Sequence, residues 1–400
     1  MTNENIQPSL TNELEHELKA ILDFWMNQTP DSTYGGFIGE MEQEGNKNNT
    51  ADKGGVLTAR ILWTFSAAYI FFKEPGYLEV AHRAYHYLIK HFWDDKNGGL
   101  YWAVNYKGEA VNVRKQAYAQ GFGIYGLSEY YKASDNQESL NYAIKLFGLI
   151  EQHYKDEQYG GYIEALADNW QPLEDMRLSE KDANEPKSMN THLHIIEPYT
   201  NLYCVWPDET LRSRIQHLIT IFRDRIIDPQ TFHFNLFFDM DWSPKSDIIS
   251  YGHDIEGAWL LTEAAHFIHD EELLAQMQKM AVKMVDATIA DGFDKDGSLF
   301  YEQENGHLDS DKHWWPQAEG MVGLMEVYQI TGNEKYFTAM MNLWEFIKGN
   351  IIDKKYGEWY WKVDRNGCPD SVPPKVGFWK CPYHNSRALM ELITRIKSIN

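Results

Sequence analysis

Two histidines stand where a loop runs into a helix, His253 in the string GHDIE and His384 in YHNSR. Imidazole titrates near neutrality, and the positive pole of a helix N-terminus disfavours imidazolium, so a histidine placed there stays available as a neutral base. Glu256, three residues after His253 on the same helix face, pushes the other way by stabilising the charged form. Capping or packing is the bland use of any one of the 15 histidines; two at corresponding helix starts weigh equally towards proton transfer.

A third histidine, His194, lies at another such start, with Asn190 four residues earlier. His192 and His194 do not make a metal pair, because i, i+2 spacing does not align two side chains on a helix and no HExxH string accompanies them. Arg60 also opens a helix; it cannot lose its charge and would be out of place in a core, an exposed rim being the alternative. With His194 it could supply donors to an oxyanion. Glu256 and Glu319 occupy matching places, and a carboxylate pair is what an inverting glycosidase requires. Trp314, Trp315 and Trp379 lie at the same openings, where aromatic faces can meet the C–H faces of sugars. No Walker, dinucleotide or GxSxG motif is present.

What positions these residues is a repeat. A helical stretch ends in polar or glycine-rich residues and a short aromatic hairpin follows: YGGF at Tyr34, NGGLYW at Asn97, YGGY at Tyr159, then TFHFNLFF at Thr231, DGSLFY at Asp296 and YGEWYW at Tyr356. Marked by Gly36, Gly99, Gly161, His233, Ser298 and Glu358, the units recur at roughly 60- to 70-residue intervals. Between hairpins the apolar spacing is helical, as in Met321, Leu324, Met325 and Tyr328, or Leu389, Leu392, Ile393 and Ile396. The fold class is therefore mainly α, with six units in one domain over residues 1–400. Two segments break the rhythm: polar 164–190, long enough to be a lid or binding loop, and 363–380, which delivers Trp379 to the last helix. Arg60, Tyr118, His194, His253, Trp315 and His384 come one from each unit, so equivalent helix starts predict one shared mouth.

A net charge of −22 disfavours nucleic-acid and anionic-membrane partners. Cys204, Cys368 and Cys381 suit neither zinc nor a disulfide framework and fit a reducing compartment. The N-terminus lacks signal-peptide features, and the apolar run 61–72 is too short to span a bilayer. A soluble cytoplasmic protein, monomeric or a weak homodimer, is expected.

The strings TARILW, NTHLHIIEPYTNLY, GHDIEGAWLL, WWPQAEG and WKCPYHNSRAL, in this order, resemble the N-acylglucosamine 2-epimerase superfamily and within it the cellobiose 2-epimerases. The resemblance implies a closed (α/α)6 barrel of six helical hairpins, short β-hairpins at one end, and no metal or organic cofactor. It places proton transfer on His253 and His384, and substrate holding on Arg60, Tyr118, Asn190, His194 and Glu256. Trp315, with Trp314 the competing choice, and Trp379 become sugar platforms; Glu319 is a further candidate for substrate contact.

The implied reaction inverts C2 of the reducing-end glucose of a β-1,4-linked disaccharide. The C2 proton of a closed sugar ring is not acidic, so the ring must first open to the aldehyde; one histidine then removes the proton and the other face of the enediolate is reprotonated. Protonation at C1 instead would give a ketose, which keeps aldose–ketose isomerase and N-acylglucosamine epimerase as alternatives. An inverting glycosidase using Glu256 and Glu319, or a non-catalytic sugar-binding or protein-interaction barrel, are readings of other classes.

Overall fold

Helix placement follows from a contrast between two sets of helices. Six are buried on nearly every side over their first half and six carry one apolar stripe, so the first set is enclosed and the second covers it. The computed structural model describes residues 3–398, with side chains from residue 8 onward. The enclosed set is α2 (Gly55–Phe72), α4 (Ala117–Ser134), α6 (Met189–Tyr203), α8 (Tyr251–Phe267), α10 (Trp314–Thr331) and α12 (Tyr383–Ser398). The covering set is α1 (Asn3–Gln28), α3 (Pro75–Tyr87), α5 (Gln137–His153), α7 (Glu209–Ile221), α9 (Glu271–Gly292) and α11 (Glu334–Phe346). Each inner helix packs on the next, and α12 returns to α2 while α1 covers it, which closes an (α/α)6 ring. The run 61–72 belongs to a longer helix, α2, which has the length and composition of a membrane span but lies inside this ring.

The two ends of the ring differ in their connections. At one end an inner helix passes to its outer partner through two to five residues, the shortest kind at Asp135–Asn136, where Asp135 takes a left-handed φ of 55° and the Asn136 side chain accepts the Ser139 N–H. A left-handed stop followed at once by an N-cap makes a connection too short to hold a hairpin. At the other end lie all six hairpins, closed by the bridges Pro30–Phe37, Trp93–Leu100, Lys155–Tyr162, Ile227–Phe234, Phe293–Leu299 and Ile352–Trp359. Each bridge falls one residue after a sequence marker. The turn needs a left-handed residue, which Gly36, Gly99 and Gly161 supply without strain. In the sixth unit Glu358 takes φ 61°, anchored by bonds from Trp25 Nε1 at 3.1 Å and Asn385 Nδ2 at 2.9 Å.

Two devices fix the hairpins to the ring. Five buried lysines, four of them two residues before an inner helix, reach back to the aspartate that opens a hairpin: Lys53 to Asp31 at 2.7 Å, Lys115 to Asp94 at 2.9 Å, Lys187 to Asp156 at 2.6 Å, Lys312 to Asp294 at 3.0 Å, and Lys375 to Asp353. Burial would raise the Asp94 carboxyl, but Lys115 and turn N–H groups carry it down to about 2. In the fourth unit Ile249 stands in the lysine's place, and His233 bonds Asp254 at 2.7 Å and Asp291 at 3.2 Å instead.

The second device is the fourth residue of the inner helix. Gln120 clamps the Leu100 backbone, Gln317 that of Leu299, Asp254 accepts from Phe234 N–H, and His192 Nε2 accepts from Tyr162 N–H at 2.9 Å. His192 is thus a backbone clamp in one unit of a series.

Candidate active site

The hairpin end surrounds a cavity of about 490 Å³, a size that suits a small-molecule ligand. Arg60, Tyr118, Asn190, His194, His253, Glu256, Trp314, Trp315, Trp379 and His384 all line it. The polar segment expected as a lid or binding loop contributes 176–183 to the wall, held by Gln116 Nε2 on the Met176 and Arg177 carbonyls. Residues 363–380 deliver Trp379, which packs near Trp102 and Tyr118. Of the expected site residues only Glu319 does not line the cavity; it lies behind His384, fully buried.

A common register explains why these residues meet. The sixth residue of successive inner helices is Arg60, Phe122, His194, Glu256 and Glu319. Counted from Pro382, whose carbonyl already accepts the Ser386 N–H, α12 places Arg387 sixth as well. Equivalent positions in a ring point at its axis, so charged groups converge at the cavity floor. Arg387, absent from the sequence expectations, is their hub. Its Nη2 donates to Glu256 Oε1 at 2.8 Å and Glu319 Oε1 at 2.7 Å, while Nη1 donates to Glu197 Oε1. Three buried carboxylates share one guanidinium, and burial drives the Glu256 and Glu319 carboxyls upward. Arg60 adds a second positive charge nearby, its Nη2 donating to Tyr118 OH at 2.7 Å and its guanidinium lying 4.2 Å from the Phe122 ring centre.

The histidines are each held by Nδ1. His253 Nδ1 meets the Ser250 Oγ at 2.8 Å, His384 Nδ1 meets Glu319 Oε1 at 2.7 Å, and His194 Nδ1 meets Glu197 Oε2 at 3.0 Å. Burial lowers all three pKa values, that of His253 to about 3, and Arg60 lowers His194 and His384 further. Neutral imidazoles with Nδ1 engaged leave Nε2 for a ligand. Trp315 lies between two of them, 4.6 Å from the His253 ring and 5.7 Å from His384. It is half-buried, whereas Trp314 is 2% exposed and packs on Trp361, which makes Trp315 the ring a ligand would meet.

Glu256, Glu319 and His384 offer ligand atoms within 4.8 Å of one another, a grouping that could hold a metal. The Arg387 guanidinium already stands against both carboxylates there. The unpartnered buried atoms Asn190 Oδ1, Glu256 Oε2 and Trp314 Nε1 belong to cavity-lining residues, a mixed set of acceptors and a donor that suits a hydroxyl-rich ligand. Tyr301, Glu302, His313 and Trp361 also line the wall. The first two directly follow the DGSLF hairpin, the one signal that pointed to them.

A family model described as N-acylglucosamine 2-epimerase matches residues 36–388. The cellobiose 2-epimerase of Bacteroides fragilis is 47% identical over 387 residues, covering 96% of this chain and 98% of its own. That of Dictyoglomus turgidum is 41% identical, covering 96% and 97%. The solved structure of cellobiose 2-epimerase from Bacillus thermoamylovorans B4167 superposes with a TM-score of 0.93 at 40% identity, over 97% of this chain and 100% of that one.

Proposed function

The chain belongs to the N-acylglucosamine 2-epimerase family, and on that footing we propose that it epimerises C2 of the reducing-end glucose of β-1,4-linked disaccharides, cellobiose to glucosyl-mannose and lactose to epilactose, without metal or organic cofactor. The observation that carries this reading is the pair His253 and His384, the first half-buried and the second buried, both tethered through Nδ1, and both in contact with the one tryptophan between them. Two such bases at one cavity can work on opposite faces of a carbon.

In this reading Trp315 and Trp379 position the sugars, and Tyr118 and Asn190 hold hydroxyls. Once the ring is open, one histidine removes the C2 proton, the electron pair passes into the C1 carbonyl as an enediolate, and the other histidine returns a proton to the opposite face. Arg60 stabilises the oxyanion, and a buried cavity makes such a donor worth far more than it is in water. Glu319 orients His384. Glu256 shares Arg387 with Glu319 and, with Oε2 unpartnered, is available to a substrate hydroxyl. Binding the second sugar contributes position without taking part in the chemistry.

The glycosidase alternative fares worse. An inverting enzyme keeps its carboxylates roughly 6.5–9.5 Å apart with water between them, whereas oxygens of Glu256 and Glu319 approach within 4.8 Å and share a guanidinium. Cellobiose incubated with the protein, with no metal added, decides between these readings. The account predicts a disaccharide with mannose at the reducing end; free glucose supports hydrolysis instead, and a ketose as main product supports the isomerase reading.

A further inference from the structure

The sequence placed His194 beside Arg60 as an oxyanion donor. The surroundings of its ring argue for the opposite polarity. Glu197, one turn further along α6, is 4% exposed and does not line the substrate cavity; it borders a separate cavity of about 170 Å³ with Thr200, Asn201 and Glu263. Its Oε1 accepts from Arg387 Nη1 and from Tyr383 OH, two donors that hold it as a carboxylate. Its Oε2 faces His194 Nδ1 at 3.0 Å. A carboxylate can only accept, so the His194 proton sits on Nδ1 and the ring offers a bare Nε2. The backbone fixes this pairing: Pro198 leaves the His194 carbonyl without its helical N–H partner, and α6 kinks at His194 with φ −91° and ψ 15°.

We propose that Glu197 is a positioning residue that locks His194 as a proton acceptor, and that His194 Nε2 takes the proton of the anomeric hydroxyl when the sugar ring opens; this rests on the epimerase reading above. As the O1–H proton moves to Nε2, the O–H electron pair forms the C1=O1 bond, the C1–O5 pair leaves with O5, and O5 receives the Nε2 proton of neutral His384 while the Glu319 carboxyl passes its own proton to His384 Nδ1. The enzyme's proton count is unchanged, and His384 is left neutral and ready for the C2 proton. Arg387 thereby serves two histidines at once, through Glu197 and through Glu319. Besides Glu197, the charged and titratable groups facing His194 are Arg60 from α2, Tyr118 from α4, His253 from α8, and His384 and Arg387 from α12.

Nitrogen NMR of the full-length protein labelled with ¹⁵N-histidine reads the tautomer directly, with the His194 signals assigned by their loss in His194→Gln. Protonated Nδ1 and bare Nε2 between pH 6 and 8 are expected; a proton on Nε2 overturns the proposal. Glu197→Gln should move that proton towards Nε2 and lower kcat on cellobiose by ~10²- to 10⁴-fold with KM little changed, the range for losing the carboxylate behind a catalytic imidazole. Glu197→Asp, which keeps the charge, should restore the tautomer and the wild-type pH profile. An unaltered kcat and pH profile in a folded Glu197→Gln protein refutes the proposal. If Glu197→Gln does not fold, the tautomer in the unsubstituted protein decides. If cellobiose is not epimerised at all, the functional reading falls, while the tautomer still answers for His194.

Discussion

Replacing His233 by glutamine should remove a block of stability that is present at neutral pH and absent at high pH. His233 lies 3% exposed between Asp254 and Asp291, where the other five units use lysine and aspartate. Burial opposes its charge, yet bonds and charges from the two aspartates carry its pKa from 6.5 up to about 9. A folded pKa above the unfolded one means the stabilisation is complete below pH 6.5 and is lost as pH rises through about 9. At about 1.4 kcal/mol per unit the shift corresponds to about 3 kcal/mol. The Asp291 side chain is 60% exposed, so its share is screened, and burial raises the Asp254 carboxyl, which offsets part of the gain. About 2 kcal/mol remains. Urea denaturation of the wild type and His233→Gln at pH 6, 7.5 and 10 should give a gap of about 2 kcal/mol at pH 6 that closes by pH 10. A gap that is constant or widens with pH refutes a charged His233 in this role.

Gly121 faces the His194 carbonyl oxygen, and a Cβ there would lie 2.2 Å from it. Gly121→Ala must push α6 outward, with an expected loss of about 1–3 kcal/mol and a fall in kcat because His194 is displaced; unchanged thermal stability and kcat would refute the close packing. The exposed Gly148, with nothing within 4 Å of its would-be Cβ, is the control, and its alanine variant should gain about 0.5–1 kcal/mol. Arg60→Met should lower kcat by ~10²- to 10³-fold; steady-state kinetics showing only a raised KM would reduce Arg60 to a binding group.

The six-unit ring was legible because every hairpin is aromatic and five of the six carry the glycine that a left-handed turn favours. The mouth was legible because polar residues at the starts of otherwise apolar helices have no packing reason to be there. A sharper signal went unread: an aspartate before each hairpin and a lysine before five of the six following helices, separated by 18 to 31 residues and joined in space. Arg387 and Glu197 were not legible, since each on its own helix looks like an ordinary charged residue; their meaning depends on contacts between helices whose partner residues lie 68 to 190 positions apart. Glu319 shared that register and was expected to touch substrate, but the bulk of His384 in front of it turns its carboxylate into a buried partner. The choice between Trp314 and Trp315 depended on one residue of helical phase; both line the cavity, and the packing of Trp314 against Trp361 favours Trp315.

The central claim is that His253 and His384 move the C2 proton. The most direct measurement is deuterium incorporation at C2 of cellobiose and its epimer in deuterium oxide, for the wild type and for His253→Ala and His384→Ala. The account predicts C2 deuterium with the wild type and none with either variant. Full exchange in both variants would contradict it.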